Sequence, residues 1–242
     1  MPWGLSRLVV RRKGWPLAAA AVHQGEAVVT VPNVISAAEI EHLLRVSTAI
    51  AEEQLRVSTD ATNGVAIVAA NGVRMHVPRL FPSADVALCN EILSRSMAFI
   101  DTELPNLASE LFFTRSTLCE LHADGELTFS KNEPAVNVYF ENGYFNPHKD
   151  YCALTVLIPL TSPGDGSFVG GGTGFWAPES RGAPSAEPAL ELAPPAGTAM
   201  IFSGDVMHAG LPVKSGKRVV FVASFDRRGL DLEEEVDIGD ER

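Results

Sequence analysis

Cysteine is scarce in this sequence, and the few cysteines present do not form a binding motif. Cys89, Cys119 and Cys152 are an odd number of residues with no Cys-x-x-Cys spacing. Such a set provides neither a disulfide framework nor a cysteine-based zinc site. It is typical of a reducing compartment, so we expect a cytoplasmic protein, or an organellar one if residues 1–25 act as a targeting segment.

Long apolar runs and an excess of positive charge are also absent. No uninterrupted apolar stretch approaches the ~20 residues that a membrane-spanning helix needs. The net charge is −11, which repels nucleic acid phosphates and anionic membranes over most of the surface. We therefore expect neither nucleic acid nor a membrane as a partner, while the oligomeric state stays open.

The N-terminal segment is the exception to this acidic balance. Residues 1–25 contain no acid but carry three arginines and one lysine. One interpretation is an organelle-targeting segment. The other is a first β-strand around Leu8-Val9-Val10, flanked by basic residues.

Two amphipathic helices are predicted in the first half of the chain. Ser36-Ala-Ala-Glu39 has the form of a capping box and opens a helix that runs to about Leu55. A second helix runs from about Ser83 to Leu104 and is stopped by Pro105.

Strand and turn patterns occupy much of the rest of the chain. Asn-Gly steps at 63–64 and 71–72 predict hairpins. From about residue 111 onward, short apolar runs alternate with Gly, Pro, Asp and Asn, which favours a sandwich or barrel. The segment 161–197 is interpreted as a long loop, and its part 161–190 is a candidate lid over a site.

These patterns together predict a single domain, mainly β with flanking helices (α+β). Residues 1–110 supply N-terminal strands and supporting helices, and residues 111–228 supply the β core. Residues 229–242 form an acidic tail that we expect to be solvated.

The most informative motif is His148-Lys-Asp150, with His208 and Arg218 further along the chain. Residues i and i+2 of a strand point to the same side, so His148 and Asp150 can reach one metal ion. Two imidazoles and a carboxylate can hold one face of Fe(II) and leave other positions open. The alternative is a surface pair of His148 and Asp150, with His208 capping a loop.

Arg218 adds a planar donor fork suited to an organic carboxylate. A metal with open positions beside a carboxylate clamp indicates an oxygenase that uses a keto acid. Tyr139 lies nine residues before His148 and could donate a hydrogen bond to the same carboxylate.

Four stretches of the sequence resemble the Fe(II)/2-oxoglutarate-dependent dioxygenases, and within them the prolyl 4-hydroxylase-like group. They contain the tyrosine and His-x-Asp, a Gly-Gly-Thr-Gly-Phe segment, the strand before the second histidine, and that histidine with its following arginine. In order they are residues 139–150, 171–175, 195–202 and 208–218.

The resemblance implies a double-stranded β-helix (jelly roll) core with the metal at one mouth. It implies metal ligation and catalysis by His148, Asp150 and His208, and a 2-oxoglutarate anchor at Arg218. Three further residues are candidate 2-oxoglutarate contacts: Tyr139, Thr155 and Thr173. The implied cofactors are Fe(II), 2-oxoglutarate and O2, and ascorbate is a further candidate.

The implied reaction is hydroxylation of a C–H bond with release of succinate and CO2. A prolyl, peptidyl or amino-acid-like substrate is favoured, and a small metabolite remains an alternative. Nucleic acid demethylases of this superfamily carry a second arginine where this chain has Ser224. Related halogenases lack the carboxylate ligand that Asp150 would provide. A cupin-type metalloenzyme that uses no keto acid, or a jelly-roll binding module, also stays open.

Overall fold

The structure is a computed structural model of the chain. It describes residues 9–11, 21–22, 24–57, 65–68, 71–176 and 187–228. Most of the candidate targeting segment, the first Asn-Gly step, part of the candidate lid and the acidic tail lie outside the described residues.

β-strands dominate the described part of the chain. They are β1 Val9–Arg11, β2 Ala27–Val31, β3 Val65–Val68, β4 Gly72–His76, β5 Leu127–Phe129, β6 Ala135–Tyr139, β7 Phe145–His148, β8 Leu154–Pro159, β9 Phe168–Gly170, β10 Thr173–Phe175, β11 Leu190–Leu192, β12 Ala199–Phe202, β13 His208–Gly210, β14 Val213–Gly216 and β15 Arg218–Arg227. The helices are α1 Ala37–Val57, α2 Val77–Leu80, α3 Ser83–Glu103, α4 Leu107–Phe112 and α5 Leu118–Ala123.

The strands form a large sheet, a smaller sheet and a separate strand pair. The nine-stranded sheet has the order β1-β2-β12-β8-β15-β6-β4-β3, with β5 also paired to β15. The four-stranded sheet has the order β11-β10-β13-β7, and β14 pairs with β9. The crossovers between strands distant in sequence, together with the mainly antiparallel pairing, are those of a jelly roll. The predicted fold class, a mainly β jelly-roll core with flanking helices, is confirmed.

Strand β15 shows how the large sheet separates two apolar clusters. Val219, Phe221 and Phe225 pack in the outer cluster, together with the helices. Val220, on the opposite face, packs in the inner cluster, between the sheets. Because both faces are covered, residues 218–225 of the strand are a nearly continuous apolar run, and the two polar residues within it, Arg218 and Ser224, are buried as well.

The predicted helices and one hairpin are confirmed. The Ser36 hydroxyl accepts a hydrogen bond from the Glu39 N–H at 3.3 Å, and Glu39 Oε2 accepts from the Ser36 N–H at 2.8 Å. This reciprocal pair is the predicted capping box of α1. The hairpin of β3 and β4 turns through Asn71, whose φ is 52°.

Two regions differ from the sequence prediction. Helices α4 and α5 occupy much of the stretch before β5, although short strands were expected from residue 111. The segment 161–197, interpreted as a loop, contains β9, β10 and β11. Each of these strands has three residues, which is too short for a period-two pattern to stand out.

The N-terminal interpretations are resolved only in part. Val9–Arg11 form a strand parallel to β2, as the first-strand interpretation expects. Strands from the predicted N-terminal part therefore share one sheet with strands of the predicted core. No helix among the described residues has the length and apolar character needed to cross a membrane.

Candidate metal centre and active site

The two histidines of the motif meet across the smaller sheet. His148 ends β7 and His208 begins β13, and the two residues are direct partners in the antiparallel register. Their ring centroids lie 4.3 Å apart. In each ring Nδ1 contacts a backbone carbonyl, that of Asn146 at 2.8 Å and that of Val206 at 3.0 Å. If Nδ1 carries the proton and donates it there, Nε2 has a free lone pair for a metal.

Asp150 completes the cluster from the turn after β7. Its Oδ1 lies 3.4 Å from Nε2 of His148, and its Oδ2 lies 3.6 Å from Nε2 of His208. The backbone N–H of Asp150 donates to the carbonyl of Gly204 at 2.9 Å. A Cβ at position 204 would lie 2.1 Å from the Cys152 carbonyl oxygen, so this close approach of the two turns requires glycine.

The donor set suits a divalent metal ion. One ligand atom from each of the three side chains lies within 4.8 Å of the others. Burial by itself raises the pKa of Asp150, but hydrogen bonds from His148 and Thr155 and the charge of His208 outweigh it and hold the pKa at about 2. Burial lowers the pKa of His208. At neutral pH the cluster therefore offers a carboxylate and a neutral imidazole, the forms that bind metal.

This geometry excludes the alternative of a surface pair with a loop cap. The side chains of Asp150 and His208 are only 10% and 5% exposed. Both face the same cavity as His148.

Thr155 lies beside the metal cluster and not beside Arg218. Its hydroxyl donates to Asp150 Oδ2 at 2.5 Å. It lies on β8, where its register partners are Phe202 and Ser224. The contact points to a role in orienting the carboxylate, and a direct contact with 2-oxoglutarate remains only the sequence-based prediction.

Arg218 lies deeper in the same cavity, opposite the smaller sheet. It is 3% exposed, and its guanidinium donates to the Thr173 hydroxyl at 3.0 Å. Its Cζ lies 5.4 Å from the ring centroid of Tyr139, its register partner on β6. Among the described residues no carboxylate lies within ion-pair distance of Arg218. The cavity therefore holds a desolvated cation, and burial lowers its pKa.

The cavity also contains a polar group that the sequence patterns did not reveal. Arg74, Glu133 and Asn137 line it together with the metal cluster and Arg218. Arg74 forms an ion pair with Glu133 and donates to Asn137 Oδ1 at 3.3 Å. Asn137 lies two positions before Tyr139, and period two in a strand could have indicated it. Arg74 comes from β4, and only sheet pairing brings it here.

The aromatic residues of the candidate lid lie inside the protein. Phe168, Phe175 and Trp176 are at most 6% exposed, and Phe168 and Phe175 belong to the inner cluster. They are core residues and not an exposed cover. Arg227, at the end of β15, pairs with Glu126 at 3.2 Å.

Comparison with known proteins bears directly on this arrangement. Residues 134–225, which include the metal cluster and Arg218, match the family model of the 2OG-Fe(II) oxygenase superfamily. This part of the chain is similar to that superfamily. The resemblance seen in the sequence is thereby confirmed. Among curated proteins, none matches the chain.

Solved structures of 2OG-Fe(II) oxygenases share the fold at low sequence identity. A 2OG-Fe(II) oxygenase family oxidoreductase from Burkholderia pseudomallei is 16% identical, with a TM-score of 0.55 over 90% of this chain and 95% of that one. The viral collagen prolyl hydroxylase of Paramecium Bursaria Chlorella virus-1 is 17% identical, with a TM-score of 0.51 over 86% and 98%. A non-heme alpha ketoglutarate dependent epimerase from nogalamycin biosynthesis is 18% identical, with a TM-score of 0.54 over 92% and 90%.

Proposed function

We propose that this protein is a member of the 2OG-Fe(II) oxygenase superfamily, an Fe(II)- and 2-oxoglutarate-dependent dioxygenase that hydroxylates a C–H bond and releases succinate and CO2. The observation that carries the proposal is one cavity lined both by the cluster of His148, Asp150 and His208 and by Arg218, a buried cation with no carboxylate partner among the described residues. A metal site alone would fit a cupin that uses no keto acid. A buried guanidinium without a carboxylate partner calls for an anionic ligand.

Each side chain has a defined task in this proposal. His148 and His208 would bind Fe(II) through Nε2, and Asp150 would bind it through its carboxylate, oriented by Thr155. Arg218 would hold the far carboxylate of 2-oxoglutarate, with Thr173 fixing the guanidinium. Bound there, Fe(II) and 2-oxoglutarate supply the O2-dependent oxidation of the substrate. The protein orients the reactants and excludes water.

The substrate favoured is one that presents a small group to the metal, such as a prolyl or other amino-acid side chain. The cavity is narrow, partly open to solvent, and lined by both the metal cluster and Arg218. A keto acid bound there would share it with the substrate, so we expect the group that reaches the metal to be of side-chain size. The fold is shared with a prolyl hydroxylase and with an epimerase of a biosynthetic route, so a small metabolite is the second candidate.

Fe(II)-dependent succinate formation tests the proposal. Protein reconstituted with Fe(II) in the absence of air is screened with proline-containing peptides, free amino acids and small metabolites, with ascorbate present or absent. We expect succinate to appear only with 2-oxoglutarate and Fe(II), and to be lost in Asp150→Ala.

The matched control is Asp205→Ala, which removes an exposed carboxylate near the mouth, 3.8 Å from Lys149. It should leave turnover unchanged. Continued turnover by Asp150→Ala would show that this carboxylate is not a needed ligand. Wild-type protein that binds metal but neither binds nor consumes 2-oxoglutarate would favour the cupin alternative, and protein that binds no metal would favour a binding module.

A further inference from the structure

The polar wall of the cavity connects to Tyr139 through a chain of contacts. Arg74 and Asn137 are register partners on β4 and β6, and Asn137 and Tyr139 point to the same side of β6. Glu133 accepts hydrogen bonds from Arg74 and from the Ser224 N–H. These contacts hold the Arg74 guanidinium beside the Asn137 amide.

The neighbours of Asn137 determine which way its amide points. Arginine can only donate hydrogen bonds. The amide atom that faces Arg74, at 3.3 Å, must therefore be the acceptor Oδ1. This leaves Nδ2 as the atom that faces the Tyr139 hydroxyl oxygen, at 3.4 Å.

The same reasoning determines the role of the Tyr139 hydroxyl. Its oxygen accepts from Asn137, so its own proton must point elsewhere. Burial raises the pKa of Tyr139, which keeps the hydroxyl protonated. Within the described part of the chain, the bond from Asn137 is the only one that this hydroxyl makes. The nearby Arg218 is another donor and cannot accept the proton.

We propose that Arg74 and Asn137 are positioning residues that aim the Tyr139 O–H into the cavity as a donor to the 2-oxoglutarate carboxylate held by Arg218. This inference rests on the proposed function. The ion pair of Arg74 and Glu133 would then do more than pack. By holding Arg74 against Asn137 Oδ1, it fixes the direction of the hydrogen bond from Asn137 to Tyr139, next to the 2-oxoglutarate site.

Asn137→Asp tests the inference because it preserves shape and reverses polarity. The new carboxylate would still accept from Arg74, but it would also accept the Tyr139 proton and turn it away from the ligand. The measurement is the affinity for 2-oxoglutarate of protein loaded with Mn(II), by calorimetric titration. We expect about tenfold or greater weakening, the effect of losing one hydrogen bond to a charged group.

A double-mutant cycle with Tyr139→Phe separates the reorientation of the Tyr139 O–H from simple charge repulsion between the introduced carboxylate and the ligand. Without the hydroxyl, Asn137→Asp should change the affinity little. Equal weakening in both backgrounds would mean repulsion alone and would overturn the inference. Asn90→Asp, the same change at an exposed position of α3, controls for net charge and should leave the affinity unchanged.

The affinity of the wild-type protein distinguishes failure of the proposed function from failure of the inference. Wild-type protein that binds no 2-oxoglutarate overturns the proposed function and this inference with it. Normal wild-type binding that Asn137→Asp leaves unchanged overturns the inference alone. If Asn137→Asp does not fold, Asn137→Leu serves in the same cycle. It frees the Tyr139 hydroxyl without forcing its proton away, so the loss should be only a few-fold and should vanish in the Tyr139→Phe background.

Discussion

Arg218 is the residue for which ligand binding and stability should respond in opposite directions. Arg218 is 3% exposed, and within the described part of the chain its guanidinium donates one hydrogen bond, to the neutral Thr173 hydroxyl. A buried cation that lacks a counterion destabilises the protein until an anion arrives. Arg218→Met should therefore strongly weaken 2-oxoglutarate binding without lowering the stability of the ligand-free protein.

The expected changes in stability and in 2-oxoglutarate affinity can be worked out from what Arg218→Met removes, a buried charge and one hydrogen bond. Replacing buried charges by apolar groups of similar size is often neutral or stabilises by about 1–4 kcal/mol, and losing the bond to Thr173 costs about 1 kcal/mol. We expect the ligand-free variant to be as stable as the wild type or more stable, with Tm rising about 2–4 °C per kcal/mol. Removing the partner of a buried carboxylate costs about 2–5 kcal/mol, so 2-oxoglutarate should bind at least about thirtyfold more weakly.

Thermal unfolding with and without 2-oxoglutarate, at fixed Mn(II), measures both effects. Wild-type protein should gain Tm with the keto acid, and Arg218→Met should not. Arg115→Met is the control at an exposed arginine and should keep the ligand-induced gain. Ligand-free Arg218→Met that unfolds far below the wild type would refute the idea of an uncompensated cation, and a preserved gain would refute the anchor.

Two further predictions concern the metal cluster. Thr155→Val removes the donor to Asp150 Oδ2, so metal affinity should fall about 10–100-fold in a metal titration, whereas Thr128→Val at an exposed strand position should leave it unchanged. The pKa of Asp150 is about 2, below its ordinary value of 3.8. The ionised carboxylate therefore stabilises the metal-free fold above about pH 4. This contribution to the free energy of unfolding, roughly 2 kcal/mol, is lost as the pH falls through 2. In urea unfolding over this pH range, the free energy of unfolding should fall more steeply for wild type than for Asp150→Asn. Equal pH dependence of the two proteins would contradict the depressed pKa.

Much of the candidate site could be predicted because it depends on local spacing. His148 ends β7 and Asp150 follows two positions later, so the spacing correctly indicated that both side chains reach one site, although Asp150 lies in the turn after the strand. Helix α1 was predicted for a similar reason, since its capping box lies within four residues. His208 and Arg218 are distant in sequence from this pair. Their residue types and order made them candidates, and the resemblance implied the same roles.

Other features depend on contacts between distant strands, which no local pattern encodes. Thr155 was expected to contact the keto acid, which stays a prediction, whereas its hydrogen bond to Asp150 depends on the folded position of β8 and was not predicted. The three-residue strands β9 to β11 are held by pairing with neighbours rather than by their own propensity. Phe175 was a candidate lid residue, yet the closure of the two sheets buries it completely.

The sequence by itself determined the chemistry: two imidazoles, a carboxylate and a guanidinium in an order and spacing that fit one metal and one organic acid. The tertiary structure decided how these groups are oriented. It brought Arg74 from β4 beside Asn137 and Tyr139, and it left Arg218 without a carboxylate among the described residues. The physical reason is that hydrogen-bond polarity and desolvation depend on which groups meet across paired strands, and that pairing exists only in the folded chain.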